Sequence, residues 1–97
     1  MPRKAREVLG GLKRKGFVEE REGHHVFLIY ETTSGLRTEV RTRLSHQSSG
    51  SDIADPLLGA MARQVKLSRR DFDQLIDCPL SREEYESRLG LRQKEGS

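Results

Sequence analysis

The three histidines are the side chains of this chain best suited to acid–base chemistry. His24 and His25 are neighbours in sequence, and they and His46 lie in or beside a segment that favours β-structure. An imidazole with an ordinary pKa of about 6.5 gives or takes a proton near neutral pH. Because neighbouring residues of a strand point to opposite faces, at most one of His24 and His25 joins a site on a given face. Each histidine is therefore a candidate for proton transfer, and the alternative for each is a surface imidazole without a catalytic role.

Sites of other chemical classes find little support in the spacing of the residues. No predicted helix carries two histidines four residues apart or a His-x-x-Glu pair, so we expect no metal site. Cys78 is the only cysteine, which excludes a disulfide within the chain, and we expect it to be a small buried apolar side chain. The serines of residues 45–51 lie in no Gly-x-Ser-x-Gly motif, and Gly10 and Gly11 open no phosphate-binding loop. The remaining combination is a histidine with basic residues and no small-molecule cofactor.

Basic residues are concentrated in the first two thirds of the chain. Residues 1–65 carry the whole net charge of +3, with dense groups at the end of the first predicted helix and along the third predicted strand. Positive groups of this kind are typical of surfaces that bind the phosphates of nucleic acids. The alternative is a solvated helix face and a polar strand face. The candidate phosphate-binding residues are Lys13, Arg14, Lys15, Arg41 and Arg43.

The spacing of apolar residues predicts an α+β fold with the element order α-β-β-β-α. Apolar side chains recur at helical spacing before Gly16, and apolar and charged residues alternate over residues 36–44. The predicted elements are a helix over residues 3–15, strands over 17–22, 25–32 and 36–44, and a helix capped by Asp55 with Pro56 in its first position. Three consecutive antiparallel strands bury one sheet face under both helices, which leaves the other face or one rim for function.

Capping residues predict two further short helices. Ser68 and Ser81 each stand three residues before an acidic residue, and the second of these helices ends at Gly90. We expect this extension, residues 66–90, to pack on the core. The alternative is that its apolar side chains remain exposed and contact a partner. Residues 91–97 are expected to form a disordered tail.

Composition places the chain among small single domains outside the membrane. It has 97 residues, of which 33% are hydrophobic and 34% charged, and its longest apolar run extends only from Val26 to Tyr30. A membrane-spanning helix needs about 18 or more apolar residues, and the N-terminus has no apolar leader segment. A single cysteine fits a reducing compartment. We therefore expect a cytoplasmic protein.

The order of three short motifs resembles the HicA toxins of bacterial and archaeal toxin–antitoxin systems. The motifs are Leu12 to Phe17 (LKRKGF), Gly23 to Phe27 (GHHVF) and Leu44 to His46 (LSH), and the resemblance covers residues 4–65. It implies a double-stranded-RNA-binding-like α-β-β-β-α core over residues 1–65. In this interpretation residues 66–90 mark a longer branch of the family.

The resemblance also implies a function. HicA toxins are endoribonucleases that cleave mRNA and are neutralised by a HicB antitoxin, so it implies RNA and a HicB-like protein as partners. By the family pattern His25 is the catalytic histidine, with His24 as the alternate. Gly23 is the turn glycine and His46 the later histidine of the family, and the resemblance implies that both belong to the RNA-binding residues. The alternatives are a non-catalytic RNA-binding module of the same fold and a protein-interaction domain.

Overall fold

A computed structural model of the chain describes residues 2–45, 52–77 and 79–90. Three sequence predictions concern residues outside these ranges: the site role of His46, the buried position of Cys78 and the tail over residues 91–97. The strands are β1 (Arg3–Lys4), β2 (Phe17–Glu22), β3 (His25–Glu31), β4 (Arg37–Ser45) and β5 (Asp52–Ile53). The helices are α1 (Ala5–Arg14), α2 (Asp55–Gln64), α3 (Arg69–Asp77) and α4 (Arg82–Leu89).

The main sheet has three antiparallel strands in the order β2-β3-β4. This arrangement confirms the predicted α+β class and the predicted three-stranded antiparallel sheet. Leu12 of α1 and Leu58 of α2 belong to the same buried cluster as Leu28 and Tyr30 of β3. Both helices therefore cover one face of the sheet.

The strand side chains that alternate with those packed under the helices point to the other side of the sheet, and all of those named below except Ile29 are at least partly exposed. We call this side of the sheet the open face. Its residues are Val18, Glu20 and Glu22 of β2, His25, Phe27, Ile29 and Glu31 of β3, and Arg37, Arg41 and Arg43 of β4. The open face thus combines one histidine, one aromatic ring and charges of both signs.

Two helix starts differ from the sequence predictions. The first helix begins at Ala5 instead of residue 3, because the two residues before it form β1 and pair antiparallel with β5. Ala54, and not Asp55, is the N-cap of α2, so Asp55 is the first helical residue. A two-residue strand is too short to show an alternating pattern, which is why the sequence did not predict β1 and β5.

The other predicted helix boundaries are confirmed by their caps. The Ser68 and Ser81 hydroxyls each accept a hydrogen bond at 3.1 Å from the backbone N–H three residues further on. Gly16 and Gly90 follow α1 and α4 with φ of +100° and +78°, a conformation that glycine adopts without a Cβ clash. These local interactions set the residues at which the helices begin and end.

Helices α3 and α4 share one apolar core with the sheet and α1. Phe72, Leu75 and Tyr85 have no exposed surface and lie in the cluster that contains Leu28. Polar contacts add to this packing, because the Lys15 ammonium donates to the carbonyls of Leu75 and Leu80 at 2.7 Å each. Residues 66–90 are therefore integrated with the sheet that carries the open face.

A buried carboxylate connects α4 to the sheet. Glu86 has no exposed surface, and its Oε1 accepts hydrogen bonds from the Tyr30 hydroxyl at 2.6 Å and the Thr33 backbone N–H at 2.8 Å. Its Oε2 accepts one from the Thr33 hydroxyl at 3.1 Å. Burial by itself raises the pKa of the Glu86 carboxyl, but the hydrogen bonds from Tyr30 and Thr33 outweigh burial and hold the pKa below its ordinary value.

We expect Glu86→Gln to lower the free energy of unfolding at neutral pH by about 1–3 kcal/mol, because the hydrogen bonds from Tyr30 and Thr33 lose their ionised acceptor and the Thr33 hydroxyl must turn to accept from the new amide N–H. A lowered folded pKa means that the carboxylate stabilises the fold above its ordinary pKa of 4.5, and that this contribution is lost as the pH falls through the folded pKa. The difference in the free energy of unfolding between wild type and Glu86→Gln should therefore become smaller in acid. Urea denaturation at neutral and at acid pH measures this difference.

Glu83→Gln is the matched control for this substitution. Glu83 lies on the same helix but is exposed, so its replacement should change stability by no more than about 0.5 kcal/mol. If Glu86→Gln were as stable as wild type at neutral pH, the carboxylate would not hold α4 on the sheet.

Candidate active site

His25 occupies the first position of β3, at one end of the open face. Gly23 and His24 form the two-residue turn that joins β2 to β3, and Glu22 and Ser45 are the cross-strand partners of His25. The His25 side chain is exposed on the open face, whereas His24 is exposed at the tip of the turn. The structure thus places His25, and not His24, in line with the other open-face residues.

Gly23 contributes through its backbone. Its φ is +59°, and a Cβ built on it meets nothing within 4 Å. The left-handed conformation, and not crowding, is therefore what favours glycine here. The family resemblance implied that Gly23 belongs to the RNA-binding residues. Its geometry supports a structural role: Gly23 forms the tight turn that presents His25.

An aromatic ring lies next to His25, and two guanidinium groups lie next to that ring. The ring centroids of His25 and Phe27 are 6.3 Å apart, and the guanidinium carbon of Arg41 lies 5.7 Å from the Phe27 centroid. Arg43 is the cross-strand partner of Phe27. Both arginines are exposed and neither forms an ion pair with any described residue. They therefore have charge available for a ligand.

Arg37, the third basic residue of β4, has a different role. Its guanidinium forms ion pairs with Glu20 at 2.5 Å and Glu31 at 3.2 Å, and these hydrogen bonds raise the pKa of Arg37 above its ordinary value. The positive charge of Arg37 is thus balanced within the open face. Arg41 and Arg43, which lie closer to His25, are the basic residues of β4 that form no ion pair within the described ranges.

A shallow depression of about 280 Å³ adjoins the Phe27 ring. It is lined by Phe27, Arg41, Thr42, Arg43 and Gln64. The Thr42 hydroxyl donates to Oε1 of Gln64 at 2.5 Å, which joins β4 to the last residue of α2. An aromatic ring, an amide and two guanidinium groups around one depression suit a flat, polar and anionic ligand.

The basic residues at the end of α1 do not join this group. Lys13 forms an ion pair with Glu19, Arg14 is exposed on α1, and Lys15 is buried with its ammonium on two backbone carbonyls. Since α1 packs on the face opposite the open face, the structure separates all three from His25. Burial also makes Lys15 unsuitable as a phosphate ligand.

Two residues that line the depression, Phe27 and Gln64, were not among the site residues predicted from the sequence. Phe27 belongs to a strand with apolar residues on both faces, and that pattern was a signal that one apolar side chain lies outside the core. Gln64 carries no such signal, because its place depends on how the end of α2 meets β4.

Comparisons with protein-family models, curated proteins and solved structures give no match. In the part of the chain that the structure describes, no helix has the length and apolar character needed to cross a membrane.

Proposed function

We propose that this chain is a metal-independent endoribonuclease of the HicA toxin type, with His25 as its general acid or base. The observation that carries the proposal is the grouping on the open face. His25 is exposed at the start of β3 and Phe27 lies beside it, while the adjacent strand carries Arg41 and Arg43, which form no ion pair with a described residue. A proton-transfer group and cations for the phosphate are what this chemistry uses when no metal ion takes part.

The proposed reaction begins with the ribose 2′-hydroxyl. Its oxygen attacks the adjacent phosphorus while the bond from phosphorus to the 5′-oxygen of the next nucleotide breaks. A base takes the proton of the 2′-hydroxyl, and an acid gives a proton to the leaving 5′-oxygen. The products are a 2′,3′-cyclic phosphate and a 5′-hydroxyl. His25 performs one of the two proton transfers and solvent completes the other, so the enzyme is expected to be slow.

Arg41 and Arg43 supply the electrostatic part of the proposal. Negative charge builds on the phosphate oxygens as the 2′-oxygen adds, and cations held beside those oxygens stabilise the transition state. A guanidinium group presents paired N–H donors that match the geometry of a phosphate. Both side chains lie on β4, the strand next to His25 in the sheet.

A HicB-like antitoxin is the partner we propose for the open face. An exposed surface with two arginines that no described residue pairs is most simply inhibited by an acidic protein that covers it. Such a partner and RNA would compete for Arg41 and Arg43.

The ends of the RNA fragments test the proposal directly. We expect purified protein, with EDTA present, to cut a labelled RNA and leave 2′,3′-cyclic phosphate and 5′-hydroxyl ends. A matched RNA with a 2′-deoxyribose at the cut position should bind equally well and remain intact, since it lacks the attacking oxygen.

Two results would contradict the proposal and select an alternative. RNA that binds but is never cut indicates a non-catalytic RNA-binding module, whose affinity falls with salt according to the number of phosphates contacted. Absence of RNA binding at physiological salt indicates a protein-interaction domain.

A further inference from the structure

We propose that Phe27 stacks on one unpaired nucleobase, so that the RNA bound beside His25 is single-stranded. The inference rests on the proposed function, from which it takes RNA as the ligand. It goes further by assigning a substrate class and a recognition residue that the histidine chemistry does not require.

Phe27 is exceptional among the aromatic residues of this chain. The sequence contains three phenylalanines and two tyrosines and no tryptophan. The other four aromatic side chains are at most 2% exposed and belong to the core: Phe17, Tyr30, Phe72 and Tyr85. Phe27 is half-buried and lies on the open face. Phe27 is therefore the one aromatic side chain of the sequence that lies outside the core.

The neighbours of the Phe27 ring are those that recognise a nucleotide. Bases of single-stranded RNA stack on aromatic rings and on guanidinium planes, while cations bind the backbone phosphates. Phe27 has an imidazole on one side, with ring centroids 6.3 Å apart, and the Arg41 guanidinium on another, 5.7 Å from the ring centroid. Because Arg41 has no ion-pair partner among the described residues, it can move to a phosphate without breaking a salt bridge.

The depression next to Phe27 provides room for the base. Its lining includes Gln64, whose amide group can hydrogen bond to the edge of a base, and Arg43, which can reach a phosphate. A base stacked on Phe27 holds its own ribose and phosphate beside His25. The stacking residue and the proposed catalytic residue then act on the same nucleotide.

The geometry favours an unpaired base over a duplex. In an RNA duplex both faces of a base are covered by its stacked neighbours, and the deep groove of an A-form helix does not admit side chains. Phe27 projects from one face of the sheet. A base can stack on its ring only after leaving the stack of a duplex. A substrate bound through Phe27 is therefore single-stranded at that position.

A tryptophan at position 27 provides a direct test, because the chain has no other tryptophan. The experiment uses Phe27→Trp combined with His25→Ala, which prevents cleavage during titration. We expect single-stranded RNA to quench the fluorescence of this tryptophan by stacking, and a duplex of the same sequence to leave it nearly unchanged. Leu36→Trp in the same background is the control, since Leu36 is 57% exposed in the connection between β3 and β4, far from His25 along the sheet.

Affinity provides the second readout. In the His25→Ala background, Phe27→Leu should weaken binding of single-stranded RNA by at least about 5-fold, since stacking of one base on an aromatic ring is worth that much or more. Phe27→Tyr keeps an aromatic ring and should bind within about 3-fold of the parent. Thermal unfolding of each variant verifies that it is folded.

Three results would overturn the inference. They are equal affinity of Phe27→Leu and the parent, equal quenching by single-stranded and duplex RNA, and equal quenching at positions 27 and 36. All of these measure binding without cleavage. A wild-type protein that shows stacking at Phe27 but never cuts RNA would therefore refute the proposed function and leave the stacking inference intact.

Discussion

His25→Ala is expected to lower the rate of RNA cleavage by about 10²–10⁴-fold, the usual contribution of one positioned proton-transfer group. The side chain is exposed at the start of β3, so its removal leaves no cavity in the core. Stability should therefore change by no more than about 0.5 kcal/mol. RNA binding should persist, because Arg41 and Arg43 are unchanged. Loss of rate with retained folding and binding is the signature of a catalytic residue.

His24→Ala is the matched control. It removes the same kind of side chain one position earlier, from the exposed tip of the turn and away from the line of open-face residues. We expect its cleavage rate to remain close to that of wild type. Single-turnover cleavage of a labelled single-stranded RNA, with EDTA present, measures both variants. Expression of each variant in cells should separate them in the same way, with growth inhibition lost only in His25→Ala.

The assignment of His25 would be contradicted if His24→Ala lowered the RNA cleavage rate strongly, or if both variants lost the same fraction of it. In that case the histidines would act through folding or binding.

The elements of the sheet could be predicted because their patterns are local. Alternation over residues 36–44 and the β-favouring run that starts at His25 are visible in the sequence without knowledge of distant contacts. The serine caps at Ser68 and Ser81 are equally local, since each bonds to an N–H three residues away. In contrast, β1 pairs with β5 across about half of the chain, and no local pattern signals such a pairing.

The site was less predictable because it depends on which face of the sheet each side chain occupies. Alternation limits a sheet-face site to one of His24 and His25, but the choice depends on where the turn ends, and the structure ends it at His24. Lys15 illustrates the opposite problem. Its ammonium bonds to carbonyls 60 and 65 residues further along the chain, so a residue type that is usually exposed becomes part of the core.

Gly11→Ala is expected to destabilise the fold by about 3 kcal/mol, at the upper end of the usual cost of overpacking. A Cβ at Gly11 would lie 2.8 Å from both Cγ2 and the carbonyl oxygen of Ile76, and 2.9 Å from its Cα. Two of these three atoms belong to the backbone, so a change of rotamer cannot relieve the contact. Helices α1 and α3 would have to move apart.

Gly10→Ala is the control that separates crowding from helix propensity. Both glycines lie inside α1, where alanine favours the helix by about 0.5–1 kcal/mol over glycine. At Gly10 a Cβ meets only the tip of the flexible Arg14 side chain, at 3.6 Å. Gly10→Ala should therefore be more stable than wild type, and Gly11→Ala less stable. For a domain of this size, each 1 kcal/mol corresponds to about 4–8 °C in Tm.

Thermal unfolding of Gly11→Ala tests whether α3 and the sheet that carries His25 unfold together. Ile76, Leu75 and Phe72 lie in the same cluster as Leu28 of the sheet, so Gly11→Ala should shift a single cooperative transition to lower temperature. RNA cleavage should then disappear at that temperature, because the sheet that presents His25 is lost with α3. A Gly11→Ala protein as stable as Gly10→Ala would mean that α1 and α3 do not meet at Ile76. The extension would then be held on the sheet by its other contacts, among them those of Lys15 and Glu86.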